Sequence, residues 1–136
     1  MPYCATCTVA RRRVALIIAI ASGCLLHAYT LAFKAEGGWS LFVVGLCAYS
    51  LAPYAAAAAL ARRWPAVWSA VGFAVGALAG DVFMHYSVFI APEDSTAALG
   101  LLFMPIWNLL LLGPVGALVA WASVRVINSR TKGNAA

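Results

Sequence analysis

Four long apolar stretches divide the chain, at about 14–33, 39–60, 65–91 and 97–124, and nearly every charged residue lies between or outside them. Crossing ~30 Å of hydrocarbon at 1.5 Å of rise per residue takes about 20 residues of helix, so each stretch is long enough to span a membrane. The boundaries have local reasons. Gly37 and Gly38 interrupt the apolar run between the first two stretches, and Arg62 and Arg63 are too costly for hydrocarbon. Pro65 suits a first helical turn, and the segment Pro92 to Thr96 reads as a turn in which Ser95 or Thr96 caps the next helix. The pattern predicts an all-α, polytopic membrane protein, an antiparallel bundle of four transmembrane helices. No linker, low-complexity tract or repeat divides the chain, so residues 1–136 form a single domain.

Composition agrees with this. With 65% apolar and 10% charged residues, the chain is far from the roughly half-apolar, quarter-charged balance of a soluble domain. The net charge of +5 does not point to nucleic acid, because the positive residues sit in short groups beside apolar runs. Arg11, Arg12, Arg13, Arg62, Arg63, Arg125, Arg130 and Lys132 fall on one side of the predicted topology, and Lys34 alone on the other with Glu36, Glu93 and Asp94. Lys and Arg are retained in the cytoplasm, so tails 1–13 and 125–136 are both expected there. The lipid bilayer is the first expected partner.

Arginines, an apolar run and then Ala21-Ser22-Gly23-Cys24 resemble a lipoprotein signal. The stretch after Cys24 stays apolar, however, and residues 1–10 are long for a charged leader, so an uncleaved helix is expected. Cys4 and Cys7 have the Cys-x-x-Cys spacing of half a metal site. A zinc site needs about four ligands, and no further Cys or His lies in the expected cytoplasmic segments, so two incidental thiols are the simpler reading. Cys24 and Cys47 lie within spans, where a thiol acts as a small apolar group.

Gly72, Gly76 and Gly80 recur every fourth residue on one face of the third span and allow another backbone to approach. That face packs either inside the bundle or as a homo-oligomer seam, and the spacing leaves both open. Pro53, Pro105 and Pro114 each remove a backbone hydrogen bond inside a span and predict kinks or opened turns.

The candidate site consists of polar residues placed in hydrocarbon: His27, Asp81, His85 and Asn108. Counting residues puts His27 and Asp81 about 20–24 Å from the inner face, in the outer third. Asp81 and His85 are four apart, share a helical face and are expected to pair. A buried carboxylate is costly unless paired or protonated, so Asp81 should face the interior or a wet cavity. If His27 joins them from the first span, the three form a polar cluster opening outward, flanked by Tyr29 and Tyr86, while Asn108 lies nearer the middle. Such a cluster suits proton relay, one metal ion or haem ligation through His27 and His85, or simply a structural pair that fixes helix register.

The segment from Ser95 to Asn108, with Ser-Thr, small apolar residues, Phe103 and then Pro105-Ile106-Trp107, resembles the start of the last span in small, uncharacterised bacterial inner-membrane proteins of four helices. The resemblance implies a bacterial inner-membrane location and carries no activity or catalytic residues. No phosphate-binding loop, His-Glu-x-x-His or nucleophile triad is present, so no enzyme activity and no cofactor are expected. The chain alone favours a non-catalytic subunit, accessory or protective protein that acts through helix contacts with itself or a membrane-protein partner. The alternatives are a small oligomeric transporter or channel subunit using Asp81 and His85, and a metal- or haem-binding protein.

Overall fold

The computed structural model describes residues 5–33, 40–63, 67–90 and 97–133. Among them are α1 (Ala5–Phe33), α2 (Leu41–Ser50), α3 (Ala52–Ala61), α4 (Val67–Phe89), α5 (Ala97–Trp107), a π-helical turn (Asn108–Leu112) and α6 (Gly113–Gly133), and no strand. These assemble into four rods long and apolar enough to cross a membrane: Ala10–Phe33, Leu41–Ala61, Val67–Phe89 and Leu99–Arg130. The fold is thus the four-helix membrane bundle that the apolar runs predict. Gly37, Gly38, Pro65, the segment Pro92 to Thr96 and Cys4 lie outside the described residues. α1 runs unbroken through Gly23 and Cys24. The second span begins at Ser40, whose side-chain oxygen accepts the Val43 N–H at 3.2 Å and caps α2.

Two of the four rods are interrupted, and prolines account for both interruptions. In the second span the break falls at Leu51, two residues before Pro53, which brings no N–H to the ladder. In the fourth span Pro105 lies inside α5 and Pro114 is the second residue of α6, and between them the chain widens into the π turn, where the Gly113 N–H donates to the Asn108 carbonyl. A wider turn relieves the clash between the Pro114 ring and the carbonyl four residues earlier. It also inserts one residue into the helical repeat, which rotates Asn108 relative to Gly113 and Gly116.

Contacts define how the rods run. Arg12 stacks over the Trp68 ring at 5.2 Å and His27 bonds Asp81 at 3.1 Å, so α1 and α4 are parallel. Gly72 faces Gly116 and Gly80 faces Asn108, so the fourth span runs antiparallel to α4. Packed against all three other spans, α4 buries Val67, Ala70, Phe73, Ala74, Ala77, Gly80, Asp81 and His85. The small core is Leu16 and Ala19 of α1, Ala57 of α3, and Ala70, Phe73 and Ala74 of α4. Alanines dominate it because helices in lipid gain little from hiding apolar area and associate through close packing. Large apolar side chains such as Ile17, Phe42, Phe83, Leu110 and Leu118 face outward, as suits hydrocarbon surroundings.

The glycine face of α4 is filled within the chain. A Cβ on Gly72 would overlap the Gly116 carbonyl and the Ala120 methyl, and one on Gly76 the Leu112 carbonyl. One on Gly80 would meet Met104, Leu112 and Asn108. These three glycines therefore let α4 meet the fourth span backbone to backbone, and they leave no free seam for a second copy at this place.

Candidate functional site

Asp81 is 2% exposed and sits where the four spans converge. Its carboxylate accepts three hydrogen bonds, one from each of the other spans. Tyr54 of α3 donates its hydroxyl to Oδ2 at 2.6 Å, and His27 Nε2 lies 3.1 Å from the same oxygen. Asn108 of the π turn donates its amide N–H to Oδ1 at 2.7 Å. The O–H···O contact has the length of a charge-assisted bond. Three converging donors fit an ionised carboxylate, for which His27 must carry its proton on Nε2.

The expected side-chain pair of Asp81 and His85 does not form. One helical turn on, the His85 ring reaches back along α4, and its Nδ1 donates to the Asp81 main-chain carbonyl at 2.7 Å. Its Nε2 meets the Thr30 hydroxyl of α1 at 2.8 Å, and that hydroxyl lies 3.0 Å from the Leu26 carbonyl. The carboxylate meanwhile turns toward the donors of the other helices. The two histidine rings stand edge to face with centroids 5.5 Å apart. Tyr29 and Tyr86 flank the cluster on the outer surface and are exposed.

The structure brings His27, Asp81, His85 and Asn108 together, and Asn108, read from the sequence as nearer the middle, lies level with Asp81 because the π turn aims it there. Tyr54 and Thr30 were missed. Tyr54 had one signal: beside Pro53 and followed by Ala55 to Ala59, it is the one side chain from Ala52 to Ala61 that carries a hydrogen-bonding group. Its ring occupies a notch at Gly23, where any Cβ would overlap it. Thr30 had no signal, because a threonine in a span commonly bonds its own helix, as this one also does.

A difference between two variants tests this construction. Tyr54→Phe keeps the ring and is expected to lose about 1 kcal/mol of bundle stability, the value of one intramembrane hydrogen bond. Gly23→Ala pushes a rigid ring out of place and is expected to lose more, about 1–3 kcal/mol. Unfolding in dodecyl sulfate mixed micelles, followed by circular dichroism, measures both; equal midpoints for Gly23→Ala and wild type would remove the notch.

Beside the cluster lies a cavity of about 210 Å³, walled by His27, Thr30, Ser50, Asp81 and His85 and otherwise by apolar residues such as Leu46 and Met104. A second space of about 320 Å³ is a groove between α1 and α4 on the outer surface, lined by Tyr29, Thr30, His85 and Tyr86 among others. Asn108 Oδ1 is buried without a hydrogen-bond partner, because its amide nitrogen is committed to Asp81.

Chemically the cluster offers one carboxylate, two imidazoles, a phenol and an amide, enough to hold and pass protons. For a metal the arrangement is less suited: His27 Nε2 and His85 Nε2 are bonded to Asp81 and Thr30, and both bonds would have to break. Among the described residues no three His, Cys, Asp or Glu side chains form a group fit to hold a metal ion. Cys7 lies in the first turns of α1, and its partner Cys4 is outside the described residues. Compared with known proteins, the chain matches no family model, no curated protein and no solved structure.

Proposed function

We propose that this chain is a small, non-catalytic, proton-handling subunit of a bacterial inner-membrane transporter or channel, with both termini in the cytoplasm. The observation that carries the proposal is the buried carboxylate, bonded by three spans, that walls a cavity together with two histidines. An intramembrane carboxylate and imidazoles beside a cavity are the groups that proton pathways use. The excess of Lys and Arg in the tails and between the second and third spans supports the orientation. Four helices are few for a pore, so the working form is a dimer or larger ring. The reading as a partner-binding accessory loses one of its supports, since the glycine stripe of α4 is spent inside the bundle.

Proton flux into proteoliposomes under an imposed potential tests the proposal. Wild type is expected to carry protons at least about tenfold faster than a folded Asp81→Asn, His85→Ala double variant, since each removes a proton-holding group. Flux equal between the two, or no flux above empty vesicles, overturns it.

A further inference from the structure

His85 is bonded through both ring nitrogens, and the chemistry of its partners determines what each nitrogen does. A carbonyl only accepts, so Nδ1, facing the Asp81 carbonyl at 2.7 Å, carries a proton in every state. Any change of charge on this ring therefore occurs at Nε2. Opposite Nε2 stands the Thr30 hydroxyl at 2.8 Å, with one proton and two acceptors within reach, Nε2 itself and the Leu26 carbonyl at 3.0 Å. When the ring is neutral, the hydroxyl donates to Nε2. When the ring is charged, Nε2–H donates to the Thr30 oxygen and the hydroxyl proton turns to Leu26. Both states are hydrogen-bonded without displacement of a heavy atom, a condition that buried ionisable groups otherwise seldom meet.

The position of the pair supplies the second observation. His85 and Thr30 line the half-open cavity beside the cluster and also the groove between α1 and α4. They form part of the wall that the two spaces share.

We propose that His85 Nε2 is the proton-exchange site of this wall, taking a proton from the groove side and giving it to the cavity side, with Thr30 reversing its hydrogen bond at each step. A hydronium ion on the groove side gives its proton to Nε2, so an O–H bond breaks as the N–H bond forms and the imidazole becomes an imidazolium; that N–H bond then breaks as the proton passes to water on the cavity side, and the neutral ring returns. The groups that set its charge are His27 of α1, Asp81 of α4 and, through Asp81, Tyr54 of α3. Cys47 of α2 lines the same cavity, and Tyr29 and Tyr86 line the groove. The cavity residues of α5 named with it, Leu101, Met104 and Pro105, carry no charge. The transport role rests on the function proposed above, whereas the exchange chemistry is tested without flux.

The chain has 2 histidines, so the full-length protein with 15N-labelled imidazoles, held in lipid nanodiscs, yields two resolvable sets of ring signals. Expected are His85 as the Nδ1–H tautomer when neutral, His27 with its proton on Nε2, and conversion of His85 to imidazolium as the pH is lowered with the bundle still folded. At the pH where wild-type His85 is half charged, Thr30→Val should lower the ratio of charged to neutral rings roughly tenfold, because a charged N–H loses more than a neutral ring when its partner is removed. Thr30→Ser should keep it. An Nε2–H tautomer at His85, no conversion before the bundle unfolds, or a charged fraction unmoved in folded Thr30→Val overturns the proposal. The tautomer is read on wild type and needs no variant to fold. Exchange as expected without proton flux removes the transport function and leaves this site; flux with a non-titrating His85 does the reverse.

Discussion

Asp81→Ala is expected to cost the bundle about 2–5 kcal/mol, seen as a large fall in the dodecyl sulfate midpoint by circular dichroism, and to leave much of the protein unfolded in mild detergent. The loss has three parts. The Tyr54 hydroxyl, the Asn108 amide and His27 Nε2 all lose their acceptor at once, in surroundings where water does not replace it. Intramembrane hydrogen bonds average about 0.6 kcal/mol and reach about 1.7, which gives the lower part of that range for three. Removing one member of a buried charged network costs about 3–5 kcal/mol, which gives the upper part.

Asp81→Asn behaves differently. The new side chain keeps one acceptor for Tyr54 and His27 and presents an NH₂ where Oδ1 stood. Asn108 has an unused acceptor in its own Oδ1, and half a turn of its amide brings that oxygen to the new donor. A loss of about 1 kcal/mol is expected, in line with one hydrogen bond of poorer geometry. The pair of variants thus separates the structural work of the residue, which asparagine largely retains, from its charge, which asparagine removes. A midpoint for Asp81→Ala within error of wild type would show that the three spans are not held at this carboxylate.

Gly76→Leu is expected to abolish the native bundle, a loss of about 3 kcal/mol or more, because what a Cβ meets there is the Leu112 main-chain carbonyl and not the end of a flexible side chain. Backbone cannot rotate away, so α4 and the fourth span must separate along their length. Separation also draws Asn108 from Asp81, since Gly80 and Asn108 lie on the same seam. Gly72→Ala should show a milder form of the same defect, about 1–3 kcal/mol. Gly45→Ala is the control: nothing lies within 4 Å of its added carbon, and alanine favours helix over glycine by up to about 1 kcal/mol. Equal midpoints for Gly72→Ala and Gly45→Ala would refute backbone contact at the α4 seam.

Of the candidate site, the sequence makes the list of out-of-place residues legible and leaves their pairing hidden. His27, Asp81, His85 and Asn108 stand out because any polar side chain in hydrocarbon needs a reason. Tyr54 and Thr30 do not stand out, being amphipathic or able to bond their own helix. Spacing suggested an Asp81–His85 pair because neighbours on one helix are all that spacing reports. The carboxylate instead found His27 54 residues away and Tyr54 and Asn108 27 residues away.

The number of spans, their approximate limits and the all-helical character of the described residues were determined by the sequence alone. Lipid sorts residues by local composition, and about 20 apolar residues are sufficient cause for a spanning helix whatever lies elsewhere. Only the tertiary structure decided that the glycine face of α4 is spent on Gly116 and Leu112, that a π turn between two prolines aims Asn108 at Asp81, and that one carboxylate ties the four spans together. Apart from the positions of His27, Asp81, His85 and Asn108, every face of these helices is apolar enough to be outermost in lipid, so composition does not choose among them. Steric fit and hydrogen-bond geometry between distant segments make that choice.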